Sequence, residues 1–129
     1  LFQIIGAIFG CLAANIIFGL PIVTISTHVR HDLSQFLSEI LATFGLVLVI
    51  FLAREVARQN IPILVGSYIA SAYWFSSSTS FANPAVTIAR QFSDTFTGIS
   101  PSGIPSFVLA QIFGAILGYI VVQWLSRDM

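Results

Sequence analysis

The apolar run that begins at Ile61 stops at Asn83-Pro84-Ala85, and only a short helix-compatible stretch follows before Ser93-Asp94 and a Gly/Pro/Ser segment. Proline suits the first helical position, where its missing N–H would have no partner anyway, and the asparagine before it is a strong N-cap. The start of this helix is therefore well specified. Residues 84–91 rise only about 12 Å, far short of the roughly 30 Å of a bilayer's hydrocarbon core. Such a segment reads as a half-helix that enters a membrane and needs a second half-helix from the other side to complete a span. The Asn83 side-chain oxygen can cap a backbone N–H, which leaves two amide donors facing whatever space the positive helix end meets. In a pore, that is a polar site for a neutral solute and a barrier to cations.

Composition supplies the membrane. The chain is 57% hydrophobic and 8% charged, against about 25% charged in ordinary soluble domains, and its mean hydropathy is +0.95. Five basic and five acidic residues cancel, so nothing points to nucleic acid or to an electrostatic lipid anchor. The single cysteine, Cys11, excludes an intrachain disulfide and offers no metal-ligand spacing, so no metal and no cofactor is expected. The chain opens without an initiator Met or a basic signal region, and Leu1 reads as a break within a longer protein.

Four apolar segments approach the length a spanning helix needs: residues 1–23, 33–53, 61–81 and 104–125. The fold class that follows is all-α, a polytopic transmembrane helix bundle of one domain over residues 1–129, with residues 84–91 as a re-entrant half-helix. The first two links are short and polar; the first part of the third, which runs from Phe81 to Gly103, is too apolar to be a solvated linker. Arg54, Arg58 and Arg127 fall on one side of the membrane and Arg30 and Arg90 on the other, a bias that places the C-terminus in the cytoplasm.

Gln3-Ile4-Ile5-Gly6-Ala7-Ile8-Phe9-Gly10 recurs as Gln111-Ile112-Phe113-Gly114-Ala115-Ile116-Leu117-Gly118. Each copy carries a Gly-xxx-Gly pair, which alone is a generic close-packing device between membrane helices. Agreement over the whole stretch says more. Passing from the first span to the fourth reverses direction three times, so the copies run oppositely, as inverted repeats do. A second asparagine matching Asn83 would then precede Leu1, outside this chain.

Phe81-Ala82-Asn83-Pro84-Ala85-Val86-Thr87-Ile88-Ala89-Arg90, with Glu39-Ile40-Leu41-Ala42-Thr43-Phe44-Gly45-Leu46-Val47-Leu48 and Ala110-Gln111-Ile112-Phe113-Gly114-Ala115, resembles the aquaporin and glycerol-channel family of major intrinsic proteins. The resemblance covers nearly the whole chain and implies the third to sixth helices of an inverted-repeat channel. It implies passive, gradient-driven passage of small uncharged solutes in single file, with Asn83, Pro84 and Ala85 at the pore's midplane, and a homotetramer in the lipid bilayer.

The resemblance also assigns a selectivity constriction to Ser71, Ser80 and Val86. Most family members place an arginine directly after this tripeptide; Val86 is smaller and has no donor, which implies a wider, less polar constriction admitting glycerol-like polyols, urea or neutral metalloid acids besides water. Arg90, one turn beyond Val86, either lines the outer mouth in that arginine's place, or neutralises the helix's negative end or pairs with Asp94. Glu39 is the one carboxylate deep in an apolar span, a functional candidate by default. The resemblance makes it a support that accepts hydrogen bonds from the re-entrant loop; a proton relay would want further buried titratable groups. His28 and His31 form a His-x-x-His pair without a third ligand and read as solvated loop residues. An ion-coupled transporter also uses broken helices and inverted repeats but would need more buried charge than Glu39, and an intramembrane enzyme would need a base beside the serines near Asn83. A truncated channel fragment inactive by itself is the remaining alternative.

Overall fold

The computed structural model describes residues 1–127. Five α-helices follow one another: α1 Phe2–Ile17, α2 Leu33–Val56, α3 Ile61–Phe75, α4 Pro84–Ala89 and α5 Ile104–Leu125. Short 3₁₀ turns at Arg58–Asn60, Arg90–Phe92 and Pro101–Gly103 precede or extend them, and the described residues contain no strand. The fold is all-α.

Two of the four apolar runs form helices long and apolar enough to cross a membrane, Leu33–Val56 and Pro101–Leu125. The other two stop earlier than their apolar content suggests. Helix α1 ends at Ile17 instead of continuing to residue 23, because Gly19 takes φ +68 and the N–H groups of Gly19 and Leu20 turn back onto Ile16 O and Asn15 O at 3.0 and 2.8 Å. Pro21 then bars any resumption. The chain runs on in extended form beside the segment after α4, with Thr24 N donating to Phe92 O at 3.2 Å and Ser26 N to Gln91 O at 2.8 Å. Helix α3 ends at Phe75 instead of residue 81. The N–H groups of Phe81 and Ala82 are drawn to the Glu39 carboxylate, so they are not available to a helical ladder.

Helix α2 lies against α5, and α3 packs on the other side of α2. The α2–α5 approach depends on Gly114 and Gly118. A Cβ at Gly118 would sit 2.9 Å from Phe44 O and 3.0 Å from Val47, and one at Gly114 would meet the Ile40 carbonyl and Thr43. At the matching positions of the other repeat copy, Gly6 and Gly10, a Cβ meets nothing within 4 Å. The repeat therefore holds at the level of sequence without equal packing in this chain.

The inside and outside of the bundle differ in a way a soluble domain's do not. The largest fully buried side chains include Gln111, Glu39, Thr87 and Ser78 beside Phe107 and Ile99, while Phe9, Ile17, Trp74 and Ile120 are exposed. The large buried apolar side chains form a small cluster of Phe81, Ile99 and Phe107, with Val86 and Ile104 packed against it and the rings of Phe81 and Phe107 5.3 Å apart. Polar groups turned inward and large apolar groups turned outward are what a lipid surround requires.

Candidate functional site

The segment from Ser76 to Asn83 is held by hydrogen bonds from its backbone and hydroxyls to one buried carboxylate. Glu39 Oε1 accepts from Ser78 Oγ at 2.7 Å and Phe81 N at 2.8 Å; Oε2 accepts from Ala82 N at 3.0 Å and Gln111 Nε2 at 2.7 Å. Four donors on a fully buried carboxylate offset the large desolvation cost of the charge. They also stabilise a backbone that is otherwise unfavourable, since Thr79, Ser80 and Ala82 all lie at positive φ, 63, 49 and 47. Gln111 Nε2 passes the network on to Thr87 Oγ1 at 2.8 Å, and Thr87 donates to Asn83 O at 3.0 Å. Helices α2, α4 and α5 are thus joined through side chains around the start of α4.

Asn83 caps α4 directly: its Oδ1 accepts from Ala85 N at 2.8 Å, with extended backbone at φ −157 and Pro84 at the first helical position. Its oxygen is occupied and its amide donors remain. Asn83, Val86, Arg90 and Ser80 line one cleft of about 390 Å³, walled on its apolar side by Leu46, Val65 and Ile69. Of the three residues expected at a constriction, the structure brings Ser80 and Val86 together and leaves Ser71 apart. Ser71 is exposed on α3 and its Oγ bonds back to Ser67 O at 2.9 Å. Ser80 borders the cleft, but its hydroxyl oxygen is shut off from solvent and has no partner.

Arg90 does not pair with Asp94. Its Nη1 donates to Thr97 Oγ1 at 2.7 Å, while Asp94 accepts from Thr27 N at 2.8 Å and lies 3.9 Å from His28 Nε2. The Thr27 backbone N–H holds the Asp94 carboxyl below its ordinary range against the opposing effect of desolvation, with lesser help from the Thr27 hydroxyl, His28 and Ser26. His28 and His31 belong to no metal-binding cluster among the described residues.

One residue that matters here was treated in the sequence only as a topological charge. Arg30, 6% exposed, donates from Nε to Gly98 O at 2.7 Å, from Nη1 to Ser78 O at 3.1 Å and from Nη2 to Phe96 O at 2.5 Å, and stacks 5.5 Å from the Phe81 ring centre. It ties the segments on both sides of α4 together. Asn15 is its smaller counterpart, buried in α1 and donating to Ile22 O and Phe92 O, both at 3.0 Å. A lone arginine in a polar link carries no local signal of such a role; for Asn15, the signal was an amide inside an otherwise apolar helix.

Over 125 residues, 97% of its length, the chain is 47% identical to Aquaglyceroporin AqpS of Rhizobium meliloti (strain 1021). The match supports reading this sequence as part of an aquaporin or glycerol channel. The chain spans about half of that relative, 54% of its length. No family model matches the chain, and no solved structure matches it. The buried Glu39 network, the Asn83 cap and the cleft beside them make up the candidate site.

Proposed function

We propose that this chain contributes to a transmembrane channel for the passive permeation of small uncharged solutes, glycerol-like polyols, urea or neutral metalloid acids, together with water. The observation that carries the reading is the cleft lined by Asn83, whose side-chain oxygen is taken up by the helix cap, together with largely apolar neighbours. Such a surface replaces a few of the hydrogen bonds a solute gives up on leaving water and offers little else to hold it. Its lining includes Arg90 and no acidic residue, which disfavours cations. Similarity to a protein named an aquaglyceroporin supports the same class of solute and a non-enzymatic role.

In this reading α4 is a re-entrant half-helix, the copies at Gln3 and Gln111 run in opposite directions, the C-terminus is cytoplasmic and the channel is a homotetramer in the bilayer. Glu39 supports the re-entrant loop through its four hydrogen bonds. Val86, half-buried and without a donor, leaves the constriction beside Ser80 wide enough for solutes larger than water. Arg90 stands at the outer mouth.

Swelling of lipid vesicles carrying the native polypeptide tests the proposal. Glycerol entry that rises linearly with its gradient and needs no ion gradient is the expected result. Saturable flux that depends on a proton gradient, and loses that coupling in folded Glu39→Gln protein, would replace the channel by an ion-coupled transporter.

A further inference from the structure

A second hollow of about 600 Å³ adjoins the cleft, bordered by the end of α1 and the loop after α4. Three residues, Tyr73, Arg90 and Thr97, line both spaces. They stand where the two spaces meet. Arg90 also borders a smaller hollow of about 220 Å³ between α1 and α4, so its guanidinium has room on more than one side and needs something to hold it. Among the described residues its one side-chain hydrogen bond is to Thr97 Oγ1, at 2.7 Å. Asp94, its neighbour in sequence, is committed to Thr27 and His28.

Thr97 is itself placed by a fixed loop. The carbonyls of both its neighbours, Phe96 and Gly98, accept from the buried Arg30, the second at 2.7 Å, and Ser100 N donates to His28 O at 2.7 Å. A Cβ at Gly98 would meet Ser26 and the Ser93 carbonyl, so the loop has no slack there. The positional order runs from Arg30 to the loop, from the loop to the Thr97 hydroxyl, and from that hydroxyl to Arg90. One Arg90 nitrogen is taken, and the remaining donors of the planar fork stay open to oxygens of a passing solute.

We propose that Thr97 is a positioning residue for solute selectivity, holding Arg90 beside Tyr73 so that these three side chains form the selecting ring, displaced outward from Val86. The inference rests on the channel reading. The solute class it favours is a small neutral molecule with adjacent hydroxyls, able to accept from two guanidinium donors at once, and it discriminates against longer polyols that cannot pass the fixed guanidinium.

Vesicles carrying the native polypeptide are assayed for glycerol and erythritol entry in parallel, and the erythritol-to-glycerol permeability ratio is compared, a quantity independent of how much protein is folded. Thr97→Val removes the hydroxyl and keeps the shape; the ratio is expected to rise roughly threefold or more, as loss of one such hydrogen bond implies. Thr97→Ser retains the hydroxyl and the wild-type ratio. An unchanged ratio in Thr97→Val, or an equal rise in Thr97→Ser, overturns the role of Thr97 and leaves the channel reading standing, because glycerol still passes. Wild-type protein that passes neither solute overturns both. Should Thr97→Val not fold, Arg90→Met is read in its place, and an unchanged ratio there overturns the ring.

Discussion

Glu39 concentrates more of the site's hydrogen bonding than any other side chain, because it accepts from four donors, of which only Gln111 Nε2 has a second acceptor, Thr87 Oγ1. Glu39→Gln keeps the volume but turns one oxygen into a donor aimed at donors. Hydrogen bonds to a charged group contribute about 1.5–3 kcal/mol each, so the variant should lose about 3 kcal/mol or more, seen as a lower thermal midpoint in detergent and less folded protein. Arg30→Lys should behave similarly: an ammonium cannot reach three carbonyls with the geometry of the guanidinium, and a midpoint equal to wild type would refute its role as a tie. These two residues were unequally legible in the sequence. Glu39 stood out as the lone carboxylate in an apolar span, whereas Arg30 sat among polar neighbours and its partners lie 48 to 68 residues away. The Asn83 cap was legible because N-cap and proline preferences act within a single turn.

Among the elements, the α2–α5 pair depends on two positions without side chains. Gly114→Ala puts a methyl against the Ile40 carbonyl, and overpacking of this kind costs about 1–3 kcal/mol; a loss of thermal stability of that order in detergent checks it. The clamp between the link after α1 and the loop after α4 should depend on acid. The folded Asp94 carboxyl is held below its ordinary value, so its contribution is present at pH above the usual carboxylate range and is lost as pH falls through the folded value. The protection of Thr27 N against hydrogen exchange, taken relative to the intrinsic rate at each pH, should fall on acidification through the folded Asp94 value, and Asp94→Asn should remove that dependence. Helix ends were the least legible feature at this scale. The runs at 18–23 and 76–81 are apolar or helix-compatible, yet a positive-φ Gly19 ends one and a carboxylate from another helix unravels the next. The first cause is written locally in Gly19 and Pro21; the second lies in α2 and could not be read from the segment itself.

At the level of the whole molecule, the cleft contains one cation and no anion, and that asymmetry should govern what crosses. If the proposed channel reading holds, Arg90→Glu should raise sodium current across a planar bilayer above that of the wild type, and an unchanged current would remove charge from the account of exclusion. The class of the fold was legible from apolar run lengths and from the repeat. The division of labour inside it was not, since only three dimensions show that Gly114 and Gly118 are covered while Gly6 and Gly10 meet open space. The shared carboxylate also has a consequence for biosynthesis. Gln111, the last of the Glu39 partners, is 72 residues downstream, and at 5–20 residues per second it emerges from the ribosome about 4–14 s after Glu39 does. Through that interval α2 carries an acid whose burial costs about 2.5–3.5 kcal/mol at a membrane's centre. Synthesis of α5, which brings Gln111 to Glu39, should therefore strengthen the residence of α2 in lipid.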